Sequence, residues 1–117
     1  MYDRSQLLKG VLEGCILKIL AEHEDYGYSI VISLNKAGFT SLKEGSVYPV
    51  LTRLEKKGLI SSRLVPSNQG PSRKSYSLTT EGIEYFNDFT SSWQTLTELV
   101  NSLLTQERGD HYEEKGI

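Results

Sequence analysis

Gly45-Ser46-Val47-Tyr48-Pro49-Val50-Leu51-Thr52-Arg53-Leu54-Glu55-Lys56-Lys57-Gly58-Leu59-Ile60-Ser61 is the stretch in which the chain changes its period. Val47, Val50, Leu51 and Leu54 recur at steps of three and four, which predicts an amphipathic helix from about Glu44 to Lys57 with Gly58 as its stop. Pro49 lies inside it. A proline is harmless only where its missing N–H has no intrahelical partner, so the helix is expected to start close enough to Ser46 for Pro49 to fall in or next to the first turn. Beyond Gly58 the period becomes two. Leu59 to Val65 alternates and is rich in β-branched residues, and Arg73 to Leu78 alternates with Tyr76 and Leu78 on one face. The turn formers Pro66-Ser67-Asn68-Gln69-Gly70-Pro71-Ser72 between them predict an antiparallel hairpin with an exposed tip.

Upstream, Leu7, Leu8, Val11, Leu12, Cys15, Ile16, Ile19 and Leu20 form the stripe of a first helix. Glu22-His23-Glu24-Asp25-Tyr26-Gly27 interrupts it. A short second helix then runs from Tyr28 to about Ala37, with Ile30, Val31 and Leu34 inward and Gly38 as its stop. Downstream, Thr79 or Thr80 offers an N-cap and Glu81 a favourable first-turn charge for a last helix reaching about Leu104. At about 25 residues it would be some 37 Å long. Phe86, Phe89, Trp93, Leu96, Val100 and Leu103 recur along it in alternating steps of three and four, an a/d heptad seam. A domain this small cannot cover such a helix alone, so the seam is expected to pack against another chain or back on the first helix, with the partner chain favoured.

The 117 residues suit one ordinary domain, and the 38% hydrophobic content supports a real core. No apolar run approaches the ~20 residues of a membrane helix, and the N-terminal residues lack the features of a signal peptide. A soluble, cytoplasmic protein without a membrane partner is therefore expected. One cysteine, Cys15, permits no intramolecular disulfide, and the two distant histidines, His23 and His111, assemble no metal-ligand cluster. Neither metal nor other cofactor is expected. The net charge of -2 conceals a division: residues 43–79 hold seven basic and two acidic side chains, whereas residues 80–117 hold two basic and eight acidic ones. A basic middle in an acidic chain is the electrostatic footprint of a nucleic-acid-contacting element.

Helix, helix, helix, hairpin and long helix is the order of a winged helix-turn-helix, a mainly α fold with a small β-hairpin, followed here by a long C-terminal dimerisation helix. In that arrangement the third helix enters the DNA major groove and the hairpin touches flanking backbone or minor groove. Residues 1–79 are read as the DNA-binding domain, 80–105 as the dimerisation helix and 106–117 as a polar tail. Burial of Val47, Val50, Leu51 and Leu54 turns Ser46, Pro49, Arg53 and Lys56 outward, with Tyr48, Thr52 and Lys57 at the margins. Arg53 can pair with guanine or hold a phosphate, Tyr48 can stack and donate its hydroxyl, and Ser46 can bind phosphate near the helix N-terminus. Arg73 and Lys74 put cations on the wing. The DNA-contacting candidates are Ser46, Tyr48, Arg53, Lys56, Arg73 and Lys74.

In combination, five motifs resemble the PadR family of bacterial transcriptional regulators over nearly everything from Leu7 to Leu104. They are Leu8-Lys9-Gly10-Val11-Leu12-Glu13; Tyr26-Gly27-Tyr28-Ser29-Ile30; Gly45-Ser46-Val47-Tyr48-Pro49 with Arg53-Leu54-Glu55; Gly58-Leu59-Ile60-Ser61; and Tyr76-Ser77-Leu78-Thr79-Thr80-Glu81-Gly82. The resemblance implies a homodimer built on the last helix with the first, repression at inverted-repeat operators in double-stranded DNA, and release by a small molecule. A tryptophan in this stretch lines an apolar pore in some multidrug-responsive members of the family. By that likeness Trp93 and Phe89, with Leu8 and Leu12 as walls, form the candidate site for a small aromatic effector. Two other readings compete: a winged helix acting through protein contacts, and a DNA-binding regulator that needs no ligand. An enzyme is not expected, since His23-Glu24-Asp25 is the only local cluster of acid-base type and lies in a charged turn.

Overall fold

The computed structural model describes residues 2–106, so His111 and the expected tail beyond Gln106 lie outside the described residues. The elements follow in the order α1 (Ser5–Glu22), β1 (Asp25–Tyr26), α2 (Gly27–Lys36), α3 (Glu44–Lys56), β2 (Ile60–Ser67), β3 (Gly70–Leu78) and α4 (Thr80–Leu104). Contacts divide the chain into two units, Met1–Asn87 and Asp88–Ile117.

α2 and α3 stop in the same way. Gly38 and Gly58 have φ of 118° and 77°, left-handed values that cost a residue without Cβ nothing. The turn lets the N–H of Phe39 reach the Leu34 carbonyl and that of Leu59 reach the Leu54 carbonyl, at 3.0 and 3.1 Å. At its other end α3 begins at Glu44, as expected, and Pro49 stands in its second turn, next to the first. The lost backbone bond is the one Gly45 would have accepted, and Gly45 is exposed, where water can serve its carbonyl.

The core of the first unit joins Ile16, Leu17 and Leu20 of α1 to Ile30 and Leu34 of α2 and to Val47, Leu51 and Leu54 of α3, all at most 4% exposed. Leu59, Ile60 and Tyr76 close it from the sheet side. α1 is apolar over more than half its circumference. Leu12, Ile16 and Leu20 face this core, whereas Leu8, Val11 and Cys15 are only half-buried and Leu7 is exposed.

The expected hairpin is one part of a three-stranded antiparallel sheet in the order β1-β3-β2. β1 forms inside the charged break after α1, with Asp25 opposite Tyr76 and Tyr26 opposite Ser75. The wing is also longer than expected, because both prolines of the presumed loop lie in strands. β2 is an edge strand, and its register shifts between Val65 and Ser67, where Pro66 sits. Only Asn68 and Gln69 remain for the turn.

Thr79 caps α4: its Oγ1 accepts the Gly82 N–H at 3.0 Å, and its hydroxyl donates to the Gly58 carbonyl at 2.7 Å. Gly82 is buried so tightly that an added Cβ would overlap the Leu59 carbonyl oxygen. Phe86, expected in the intermolecular seam, packs instead against the core, because the first turns of α4 lie on it. The first unit ends at Asn87, within α4. In the second unit Trp93, Leu96, Val100 and Leu103 are 46%, 56%, 44% and 70% exposed.

Candidate nucleic-acid interface

With Val47, Val50, Leu51 and Leu54 buried, the opposite side of α3 presents Tyr48, Pro49, Thr52 and Lys56 to solvent. Its two flanks differ. On the wing side the Tyr48 ring lies against Gly27, the first residue of α2, so closely that a Cβ on Gly27 would collide with it. A cleft of about 750 Å³ opens here between α2, α3 and β3, lined by Tyr26, Gly27, Tyr28, Tyr48, Thr52, Arg73, Lys74 and Tyr76. The Arg73 guanidinium stands 5.9 Å from the centre of the Tyr26 ring. The first N–H groups of a helix have no intrahelical partner, no side chain caps α2, and its first residues Gly27 and Tyr28 line the cleft with Arg73 and Lys74. Burial, and then the Glu44 carboxylate, push the Tyr48 phenol above its usual range; Tyr76 is raised by burial, then by Glu55 and Tyr48. Both hydroxyls therefore remain protonated donors at neutral pH. Free amides, phenols and cations converging on one concavity suit the oxygens of a phosphodiester chain.

On the other flank the cations are engaged. Arg53 Nε and Lys57 Nζ reach the same Glu13 oxygen, at 3.2 and 3.4 Å. Arg63 on the wing pairs with Glu24 at 2.8 Å, and Ser75 donates its hydroxyl to that same carboxylate. The Ser75 hydroxyl, followed by Arg63, holds the Glu24 carboxyl below its usual range. Lys43, Lys56, Arg73 and Lys74, the other basic residues of 43–79, make no ion pair among the described residues.

The predicted contact residues thus fall into two groups. Tyr48, Arg73 and Lys74 are brought together around the cleft, while Ser46 and Lys56 are exposed on α3 outside it. Arg53 does not stand free on the outer face as expected; it lies at the helix margin, turned to α1 by the Glu13 carboxylate. Tyr26, Gly27 and Tyr28 line the cleft although the sequence reading gave them no role. The signal was a glycine between two tyrosines at a helix start, where small size admits a neighbouring ring. The acid-base cluster is structural in use: Glu24 holds Arg63 and Ser75, and Asp25 accepts the Tyr26 N–H.

Residues 16–88 match the description of the transcriptional regulator PadR-like family. The chain belongs to this family. It is similar to the crystal structure of a PadR-like transcriptional regulator from Bacillus cereus, at 49% identity over 87% of this chain and 99% of that one, with a TM-score of 0.77. A Streptococcus transcriptional regulator is similar at 43% identity over 86% and 98% of the two chains, with a TM-score of 0.77. An uncharacterised protein of Lysinibacillus sphaericus is 31% identical over 84% of this chain and 92% of its own length. As a PadR-like protein the chain is a DNA-binding transcriptional regulator of winged-helix fold, and its family is one of regulators, not enzymes. No helix among its described residues is long and apolar enough to cross a membrane.

In this PadR-like chain the expected effector residues are also divided. Phe89 and Trp93 stack with ring centres 6.4 Å apart and planes 14° from parallel. Leu8 is half-buried on α1. Leu12 is only 7% exposed and belongs to the core of the first unit.

Proposed function

We propose that this PadR-like regulator is a homodimeric repressor that lays α3 in the major groove of an inverted-repeat operator and sets its wing on the flanking backbone. The observation that carries the reading is the sorting of charge around α3. Lys56, Arg73 and Lys74 have no carboxylate partner among the described residues and stand with Ser46 and Tyr48 on the open side of the fold. The exposed stripe of Trp93, Leu96, Val100 and Leu103, with the half-buried Leu8, Val11 and Cys15 of α1, supports dimerisation through the last and first helices. Two-fold symmetry then puts the reading helices about 34 Å apart, one turn of duplex. Footprinting on the DNA upstream of the protein's own gene and neighbouring operons tests this. A protected inverted repeat with half-sites one turn apart is expected, and protection of a single asymmetric half-site would overturn it.

The stacked Phe89–Trp93 pair favours a small planar aromatic effector as the releasing signal. Such a compound would stack on Trp93, 46% of which is open, and shift the spacing of the two reading helices. Titration of flat aromatic, phenolic and cationic compounds, following tryptophan emission and DNA binding together, is expected to find one that quenches saturably and releases DNA. Release that survives Trp93→Ala unchanged would place the effector elsewhere.

A further inference from the structure

Among the described residues of the first unit, Glu13 is the one carboxylate with a hydrogen bond to both α3 and α4. One of its oxygens takes Arg53 Nε and Lys57 Nζ, and Tyr85 on α4 donates its hydroxyl to the other at 3.4 Å. The Lys57 ammonium also lies 6.0 Å from the centre of the Tyr85 ring, so Glu13, Lys57 and Tyr85 close a triangle. The Glu13 side chain is 13% exposed, whereas those of Arg53 and Lys57 are 48% and 45% exposed. A carboxylate so covered needs its partners, but the two cations have water as an alternative. Among the described residues, Glu13 is the only ion-pair partner that holds them to α1. Arg53 and Lys57 are one turn apart on the margin of α3, close enough to the reading face for their long side chains to swing to a phosphate if released.

We propose that Glu13 is a specificity-determining residue: it withholds Arg53 and Lys57 from the DNA backbone, so that phosphate is met by Lys56 and the wing cations and not on the α1 flank of α3. Sequence-independent affinity comes from phosphate neutralisation, and each added contact raises binding to every duplex alike. One buried carboxylate that engages two cations of the reading helix therefore restrains nonspecific binding without touching DNA. The inference rests on the proposed reading of the α3 face.

The test uses the full-length protein and a random-sequence duplex spanning two major-groove turns, titrated at about 50 and 200 mM salt. Glu13→Gln is expected to bind this duplex more tightly at the lower salt. Because the proposed dimer carries Glu13 twice, it is also expected to lose affinity between the two salts by a further ~12-fold for one freed contact per protomer, or ~150-fold for two. The double variant Arg53→Gln/Lys57→Gln, with Glu13 intact, is expected to keep the wild-type salt dependence, while Lys56→Gln flattens it. An unchanged salt dependence in Glu13→Gln would overturn the proposal. So would a flattened one in the double variant, which carries the test alone if Glu13→Gln does not fold. Wild-type protein that fails to bind at either salt sinks the reading of the α3 face itself, whereas wild-type binding with an unmoved Glu13→Gln sinks only the role of Glu13.

Discussion

Among the described residues the first unit closes a core of large apolar side chains, and the second unit closes none. Leu51, Leu54, Ile16 and Leu17 are fully covered, whereas Trp93, Leu96, Leu99 and Leu103 are each between 46% and 70% exposed. Both regions show the same spacing of apolar residues at three and four. The difference teaches that periodicity specifies a helix and one of its faces but says nothing about what lies against that face. In the first unit the other wall is supplied by the chain; in the second we assign it to another copy.

The change expected to disturb this contrast most is Leu96→Lys with Leu103→Lys. Burial of each leucine against a partner is worth roughly 1.5 to 3 kcal/mol and is lost in both copies, so sedimentation should show monomers that keep the wild-type helical signal. A dimer that survives both lysines would show that the exposed stripe is not the interface. Next in size is Leu51→Ala in the closed region, which should lower unfolding stability by about 2 to 5 kcal/mol in urea melts. A cost well below that range would mean the core is looser than its burial implies.

Gly27→Ala should separate folding from DNA contact. The added methyl meets the Tyr48 ring, which is 37% exposed and has room to swing outward, so the melting point should hardly move. The displaced hydroxyl should cost DNA binding about 0.5 to 1.5 kcal/mol, read by fluorescence anisotropy. At Gly82 the obstacle is the Leu59 carbonyl, which cannot swing, and the same substitution should unfold the start of α4 instead.

The smallest effect is electrostatic. The folded Glu24 carboxyl is held below the ordinary 4.5, so its contribution is fully present above that value and is lost as the pH falls through the lower folded one. The pair with Arg63 is exposed, which keeps the effect small. Glu24→Gln should therefore narrow the difference in urea midpoint between neutral and acid pH, and an unaltered difference would remove Glu24 from the account.

The sequence made the order of helices and wing legible because glycine stops, a threonine cap and a change of period all act within a few residues of where they are written. β1 was not legible. Asp25 and Tyr26 are too few for a pattern, and they become a strand only because Tyr76 and Ser75 lie beside them. The candidate interface was read in outline from the basic middle of the chain. The ion pair of Arg53 was not legible because its partner, Glu13, is 40 residues away, and no local spacing shows that a charge is already taken. The core contacts of Phe86 and Leu12 were hidden for the matching reason: each belongs to an apolar stripe wide enough for two faces, and spacing does not say which of them meets the core.

On the proposed reading, the cations on α3 and the wing that lack a carboxylate partner among the described residues neutralise DNA phosphate. The direct measurement is the salt dependence of duplex binding for the wild type and for Lys56→Ala/Arg73→Ala/Lys74→Ala. The logarithmic slope should become shallower by about 0.9 for every contact removed from each protomer, with helical content unchanged. A triple variant with the wild-type slope would contradict the account.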